Sequence, residues 1–125
     1  MKILVCDEQK DRAQLIRSLI ESYNYKVKIE NDEEEIEALL RENNLVLIII
    51  GPRVKSKKGL ELLQKVKSMP KYWDLPVVYI SDTEISNLEE QLNQFKNVDV
   101  VTEPFKIKNF KHIIEKWLNF RSIYV

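Results

Sequence analysis

The chain has 125 residues, 44% apolar and 32% charged, which suits one globular domain built around one core. Twenty basic residues balance twenty acidic ones, so no global charge draws the protein to nucleic acid or to an acidic membrane surface. The single cysteine excludes an internal disulfide and fits a reducing, cytoplasmic setting, with no signal peptide before the first strand. The longest apolar run, residues 45–50, is far too short to span a bilayer.

Short apolar runs alternate with amphipathic stretches along the whole chain. Residues 2–6 read as a first strand that ends in two acids, Asp7 and Glu8. Residues 7 to about 23 follow as a helix with Ala13, Ile16, Leu19 and Ile20 on one face. Residues 26–29 alternate polar and apolar side chains, the pattern of a half-exposed edge strand. Asn31 or Asp32 can cap the next helix, whose first turn carries Glu33, Glu34 and Glu35 at the positive end of the dipole. Its buried stripe is Ile36, Leu39 and Leu40.

Residues 46–50 are apolar on both faces, as a central parallel strand requires. A basic, solvated loop with Arg53, Lys55, Lys57 and Lys58 leads to a third helix opened by Gly59 and stopped by Pro70. Its core face is Leu60, Leu63, Val66 and the stem of Lys67. A fourth strand covers residues 77–81. Ile85, Leu88, Leu92 and Phe95 mark a fourth helix, residues 98–102 a fifth strand, and Phe110, Ile113, Ile114, Trp117 and Leu118 a fifth helix. A strand and a helix thus repeat five times over residues 1–125. That alternation implies an α/β fold, a five-stranded parallel sheet doubly wound by helices on both faces. In such sheets functional groups gather beyond the carboxyl ends of the strands, where Asp7, Glu8, Gly51, Ser81, Thr102 and Glu103 fall.

Three of these strand ends, Val5-Cys6-Asp7-Glu8, Tyr79-Ile80-Ser81 and Thr102-Glu103-Pro104-Phe105, resemble the receiver domain of bacterial response regulators. The resemblance covers essentially the whole chain and implies a CheY-like, flavodoxin-like strand order of 2-1-3-4-5. It also implies a cis peptide between Glu103 and Pro104. In that family an aspartate at the end of the central strand accepts phosphate, with seven residues between it and a following glycine. Counting back from Gly59 places Gly51 at the acceptor position, and its neighbours Ile49 and Ile50 cannot carry an acyl phosphate either. The lysine that usually precedes the proline is Glu103, and the switch aromatic is Val100. Acceptor, lysine and aromatic are altered together.

The remaining site residues have two readings each. Asp7 and Glu8 match the acidic pair that holds Mg2+ in the family, which implies weak magnesium binding; equally, they are two acids stabilised near a helix N-terminus. Ser81 matches the hydroxyl that meets the phosphoryl group, or caps the helix that follows. Glu103 points to water, or joins Asp7 and Glu8 in an acidic cluster that binds a cation or recruits Arg53, Lys55 or Lys57. Cys6 reads as a small core residue and His112 as an exposed one.

The reading that follows is a degenerate receiver with no catalytic motif and no required cofactor. It would act as a phosphorylation-independent interaction module, its partner a histidine kinase, regulator or output protein of two-component signalling. The expected contact surface is the face of the fourth helix, fifth strand and fifth helix, with a homodimer also open. The apolar tail at residues 120–125 would pack on the domain or on a neighbour. The alternative is a switch in which the acidic pocket senses a cation or small ligand.

Overall fold

The computed structural model describes the backbone of residues 2–42, 44–82 and 87–123, and side chains as far as Leu118. Strands β1 (Lys2–Cys6), β2 (Lys26–Ile29), β3 (Leu45–Ile50), β6 (Val77–Ser81) and β7 (Val98–Thr102) form one parallel sheet in the order β2-β1-β3-β6-β7. Two further strands of two residues each, β4 (Arg53–Val54) and β5 (Lys57–Lys58), make a separate antiparallel ladder. With that ladder set aside, the strand order is the expected 2-1-3-4-5.

The helices are α1 (Lys10–Glu21), α2 (Glu33–Arg41), α3 (Gly59–Lys67), α4 (Leu88–Leu92) and α5 (Ile107–Ile123). No described helix is long and apolar enough to cross a membrane. Successive side chains of a strand point to opposite faces, so each central strand feeds two cores. Leu4, Cys6, Ile48 and Ile50 face the core under α2, α3 and α4; Ile3, Val5, Leu47 and Ile49 face the core under α1 and α5. All six residues of β3 are buried, whereas the edge strand β2 alternates between exposed and half-buried positions.

Several local expectations shift. Helix α1 starts at Lys10 rather than Asp7, because Gln9 is its N-cap and its side chain accepts from the Arg12 N–H at 2.8 Å. Asp32, not Asn31, caps α2. The basic segment after β3 is an ordered hairpin instead of a solvated loop. Its turn residues Lys55 and Ser56 both have positive φ, at 49° and 67°, the geometry that tight hairpins demand and that Asn-Gly usually announces. Residues 83–86, and with them Ile85 and the helix start expected near Thr83, lie outside the described residues, as do the side chains of the 120–125 tail.

Lys67 is the largest surprise in the packing. It is 1% exposed, and its ammonium donates to the carbonyls of Trp73 at 3.2 Å, Leu75 at 2.5 Å and Lys96 at 2.6 Å. Its stem lies in the core as the sequence suggested, while its charge ties the end of α3 to the loops before β6 and β7. A buried cation is tolerated only when its donors are satisfied, and three carbonyls satisfy all three. Replacing Lys67 by Met would strip one buried and two part-buried carbonyls of their donor. We expect Lys67→Met to lower stability by about 2–4 kcal/mol in urea denaturation at unchanged m-value; a loss under about 0.5 kcal/mol would contradict this role.

Candidate functional site

The carboxyl ends of β1, β3, β6 and β7 converge on one crevice. Asp7, one residue beyond β1, is 1% exposed. A carboxylate taken so far out of water needs a counter-charge, and it finds one in Arg12. Arg12 Nε donates to Asp7 Oδ2 at 2.5 Å and a terminal nitrogen donates to Oδ1 at 2.9 Å. That is the bidentate fork by which arginine best matches a carboxylate. The Gln9 backbone N–H donates to Oδ1 as well, at 3.0 Å. The other terminal nitrogen of Arg12 reaches Glu103 Oε1 at 3.3 Å. The bonds from Asp7, opposed by burial and supported by Glu103, raise the guanidinium further above its already high ordinary value.

This arrangement corrects the expected acidic cluster. Arg53, Lys55 and Lys57 do not enter the crevice. Arg53 donates to the Ser56 carbonyl, Lys55 pairs with Asp32 at 2.6 Å, and Lys57 pairs with Glu33 at 3.0 Å. Those pairs hold the Asp32 and Glu33 carboxyls below their usual range. Glu8 is also turned away: its Oε1 accepts the Ser56 N–H at 2.7 Å, and its own N–H donates to the Arg53 carbonyl at 3.1 Å. Glu8 therefore fastens the strained turn of the hairpin and leaves Asp7 and Glu103 to share Arg12. One signal in the sequence points to Arg12. It lies in the first turn of α1, where the helix dipole disfavours a positive charge unless an acid compensates it.

Gly51 follows β3, and its N–H donates to the Cys6 carbonyl at 2.8 Å. A Cβ there would lie 2.4 Å from Asp7 Cγ and 2.6 and 2.7 Å from its two oxygens, so the ion-paired carboxylate fills the space of a side chain at position 51. The chain's other glycine is the neighbour on the far side. A Cβ on Gly59 would stand 1.8 Å from the Gly51 carbonyl oxygen, while the Gly59 N–H donates to the Pro52 carbonyl at 2.8 Å. The strand end and the start of α3 can approach this closely only because position 59 has no side chain.

Ser81 is fully buried at the end of β6, where its carbonyl accepts the Glu103 N–H at 2.7 Å. The Glu103–Pro104 bond is cis, as the resemblance implied. Val100 is half-buried beside Tyr79, its partner across β6 and β7, and packs on the core under α4. It also lines a shallow groove of about 520 Å3 between α4, β7 and α5 with Leu92, Phe95, Val98 and Trp117. Asp99 ties that groove together: it accepts from Trp117 Nε1 at 2.6 Å and from Lys116 Nζ at 2.8 Å, and the ammonium lies 4.7 Å from the Trp117 ring centroid. Cys6 is fully buried; burial, then Glu30 and Asp7, push its thiol far above the usual range, so it stays neutral. His112 is exposed.

The sequence model of the response regulator receiver domain matches residues 3–115. No protein with a curated description matches the chain. Among solved structures, the fold is similar to the signal receiver domain of a DNA-binding response regulator (merR) from Colwellia psychrerythraea 34H. The TM-score is 0.81 at 14% identity, over 95% of this chain and 98% of that one. It is also similar to the receiver domain of the sensor histidine kinase PA1611 from Pseudomonas aeruginosa PAO1, with TM-score 0.75 at 17% identity over 94% and 97% of the two chains. The chemotaxis protein CheY4 of Vibrio cholerae gives 0.74 at 17%, over 94% and 95%. At these identities the likeness is one of fold. The PA1611 domain holds a magnesium ion in its active-site cleft. The residues present here do not fit that ion: both Asp7 oxygens are engaged by nitrogen donors, Glu8 serves the hairpin, and Gly51 offers no ligand. Among the described residues no three acidic, histidine or cysteine side chains are grouped to hold a metal.

The two glycines can be tested separately. Gly59→Ala should cost about 3 kcal/mol or more, because backbone must move to admit the methyl group. Gly51→Asp should destabilise by about 1–3 kcal/mol, since its Cβ displaces a paired carboxylate. Thermal denaturation of both variants within about 2 °C of the parent would show that the junction is looser than these distances require.

Proposed function

The chain belongs to the response regulator receiver domain family, and from that premise we propose that it is a degenerate member, a phosphorylation-independent interaction module of two-component signalling. The observation that carries this reading is the Asp7–Arg12–Glu103 bridge. It fills the crevice in which the family's acyl phosphate and its counter-ions would meet. Three further features support it. The acceptor position is Gly51, under a carboxylate that leaves no space for a side chain. Glu103 would repel a phosphoryl group where a lysine would attract it. Val100 carries no ring that could swing between an inward and an outward state. Among the described residues the crevice carboxylates Asp7 and Glu103 are both tied to Arg12, which supports a domain that acts by binding and not by catalysis.

The surface proposed for a signalling partner, or for a second copy, is the groove of α4, β7 and α5. Its lining is mixed, with Leu92, Phe95, Val98 and Trp117 set among Glu89, Asn93, Asp99 and Lys116, a composition that suits a polar protein contact, and the Asp99–Lys116–Trp117 knot braces its wall. The alternative reading, a cation- or ligand-responsive acidic pocket, would require Arg12 to leave both of its acids, and we place it second.

Two measurements test the reading. Incubation with acetyl phosphate and Mg2+ should leave the intact mass unchanged; a stoichiometric, base-labile phosphate adduct would overturn it. Capture of histidine kinases, regulators or a second copy should be the same with and without the phosphodonor. It should fall about tenfold or more when Glu89 and Asn93, exposed on the rim of the groove, are both changed to Arg, at unchanged melting temperature. Binding that survives the double change would move the contact elsewhere.

A further inference from the structure

We propose that Arg12 is a built-in cation. Its guanidinium takes the place of an exogenous divalent ion between the strand-end acids, and the crevice is a latent magnesium site that the chain has filled with its own charge. Asp7 stands at the end of β1 and Glu103 beyond the end of β7, yet one guanidinium donates to both, at 2.5 and 2.9 Å on one side and 3.3 Å on the other. Magnesium binds oxygen ligands at about 2.0–2.1 Å in a near-octahedral shell and commonly uses only one or two carboxylates plus waters. Two carboxylates converge here, and the object at their meeting point is a side chain.

Three positions make this a single arrangement. Arg12 supplies the positive charge. Glu103 supplies a second acid that gives the far side of the guanidinium a partner. Gly51 has no side chain, and a Cβ there would stand 2.4 Å from Asp7 Cγ, so the missing side chain is what lets the Asp7 carboxylate lie where Arg12 can grip both of its oxygens. The Arg12 side chain is 15% exposed and that of Asp7 is 0% exposed, so the pair is screened little by salt. A tethered cation of this kind is not diluted and not chelated away.

The consequence is a gain of function on removal. Without the guanidinium, Asp7 and Glu103 face each other across the crevice with no counter-charge, and a hydrated divalent ion becomes the available replacement. The test uses the full chain and magnesium alone, at constant ionic strength, followed by thermal denaturation and calorimetry. Wild type should show no saturable Mg2+ binding. Arg12→Gln, whose amide can still donate to Asp7 and keep the domain folded, should melt several degrees lower. About 10 mM MgCl2 should then return about 4 °C, the shift for millimolar affinity in a domain of this size. The double change Arg12→Gln, Asp7→Asn should abolish that gain. Magnesium binding by wild type as tight as by Arg12→Gln would overturn the proposal, and so would an Arg12→Gln protein that neither loses stability nor gains magnesium binding. Should Arg12→Gln fail to fold, wild type still decides: the Gln9 and Arg12 amide resonances should stay fixed up to about 20 mM MgCl2, and saturable movement would refute the proposal. Neither phosphodonor nor partner enters these measurements, so they stand or fall apart from the interaction reading.

Discussion

The carboxylate of Asp7 is buried where β1 meets α1, and its need for a counter-charge organises the surrounding chain. Leaving such a group unpaired would be severe, since removing one member of a buried ion pair costs about 3–5 kcal/mol. Arg12 meets the need from the first turn of the next helix, and because its fork has donors to spare it also reaches Glu103 on the far side of the crevice. The bridge therefore links β1, α1 and the turn into α5. It joins elements that also pack together through apolar side chains under one face of the sheet.

Around that bridge the backbone is packed unusually close. Asp7 lies over Gly51, and the Gly51 carbonyl abuts Gly59 at the start of α3. The chain has two glycines in 125 residues, and both are at this junction. Neither has a positive φ, so what the fold needs from them is missing volume and not an unusual dihedral. Glu8, adjacent to Asp7 in sequence, does a different job: it satisfies the Ser56 N–H in a turn whose residues are strained for lack of glycine or asparagine. Two neighbouring acids that read as one pair are thus divided between an ion pair inside and a hairpin outside. Lys55–Asp32 and Lys57–Glu33 pin the same hairpin to the start of α2, but those pairs are solvent-exposed and contribute little beyond orientation.

What was legible in the sequence was whatever follows from local periodicity. The unbroken apolar run at 45–50 becomes a strand buried on both faces, and Lys-Val-Lys-Ile becomes an edge. The stripe of Ile36, Leu39 and Leu40 becomes the buried face of α2, and the count from Gly59 back to Gly51 marks two residues in contact. What was not legible depends on pairing across long separations. The Arg12–Glu103 contact spans 91 positions and the Ser56–Glu8 contact 48; no local pattern encodes either. Basic residues close in sequence to the central strand, Arg53, Lys55 and Lys57, are the partners that proximity alone suggests for the acids. Yet a lysine or arginine in an exposed hairpin keeps its hydration, and the residue that enters the crevice is the one whose helix already aims it there. Lys67 was half legible for a similar reason: its stem follows the helical stripe, while the three carbonyls that receive its charge come from two separate loops.

A receiver that switches needs two arrangements within a few kcal/mol of each other and a ligand that prefers one of them. The bridge in this protein works against that balance. Its cation is part of the chain, so its local concentration does not change with metal, phosphodonor or dilution. Its two acids come from opposite sides of the crevice, so opening the crevice would expose both at once. On the neighbouring face, Asp99 receives Trp117 and Lys116 together and fixes the wall of the groove without reference to the crevice. Groove and crevice are each braced by their own charges, and Val100 has no ring that could be poised between two positions. On the reading proposed above, a surface built this way would be ready before any signal arrives, and its occupancy would be governed by how much of the partner is present.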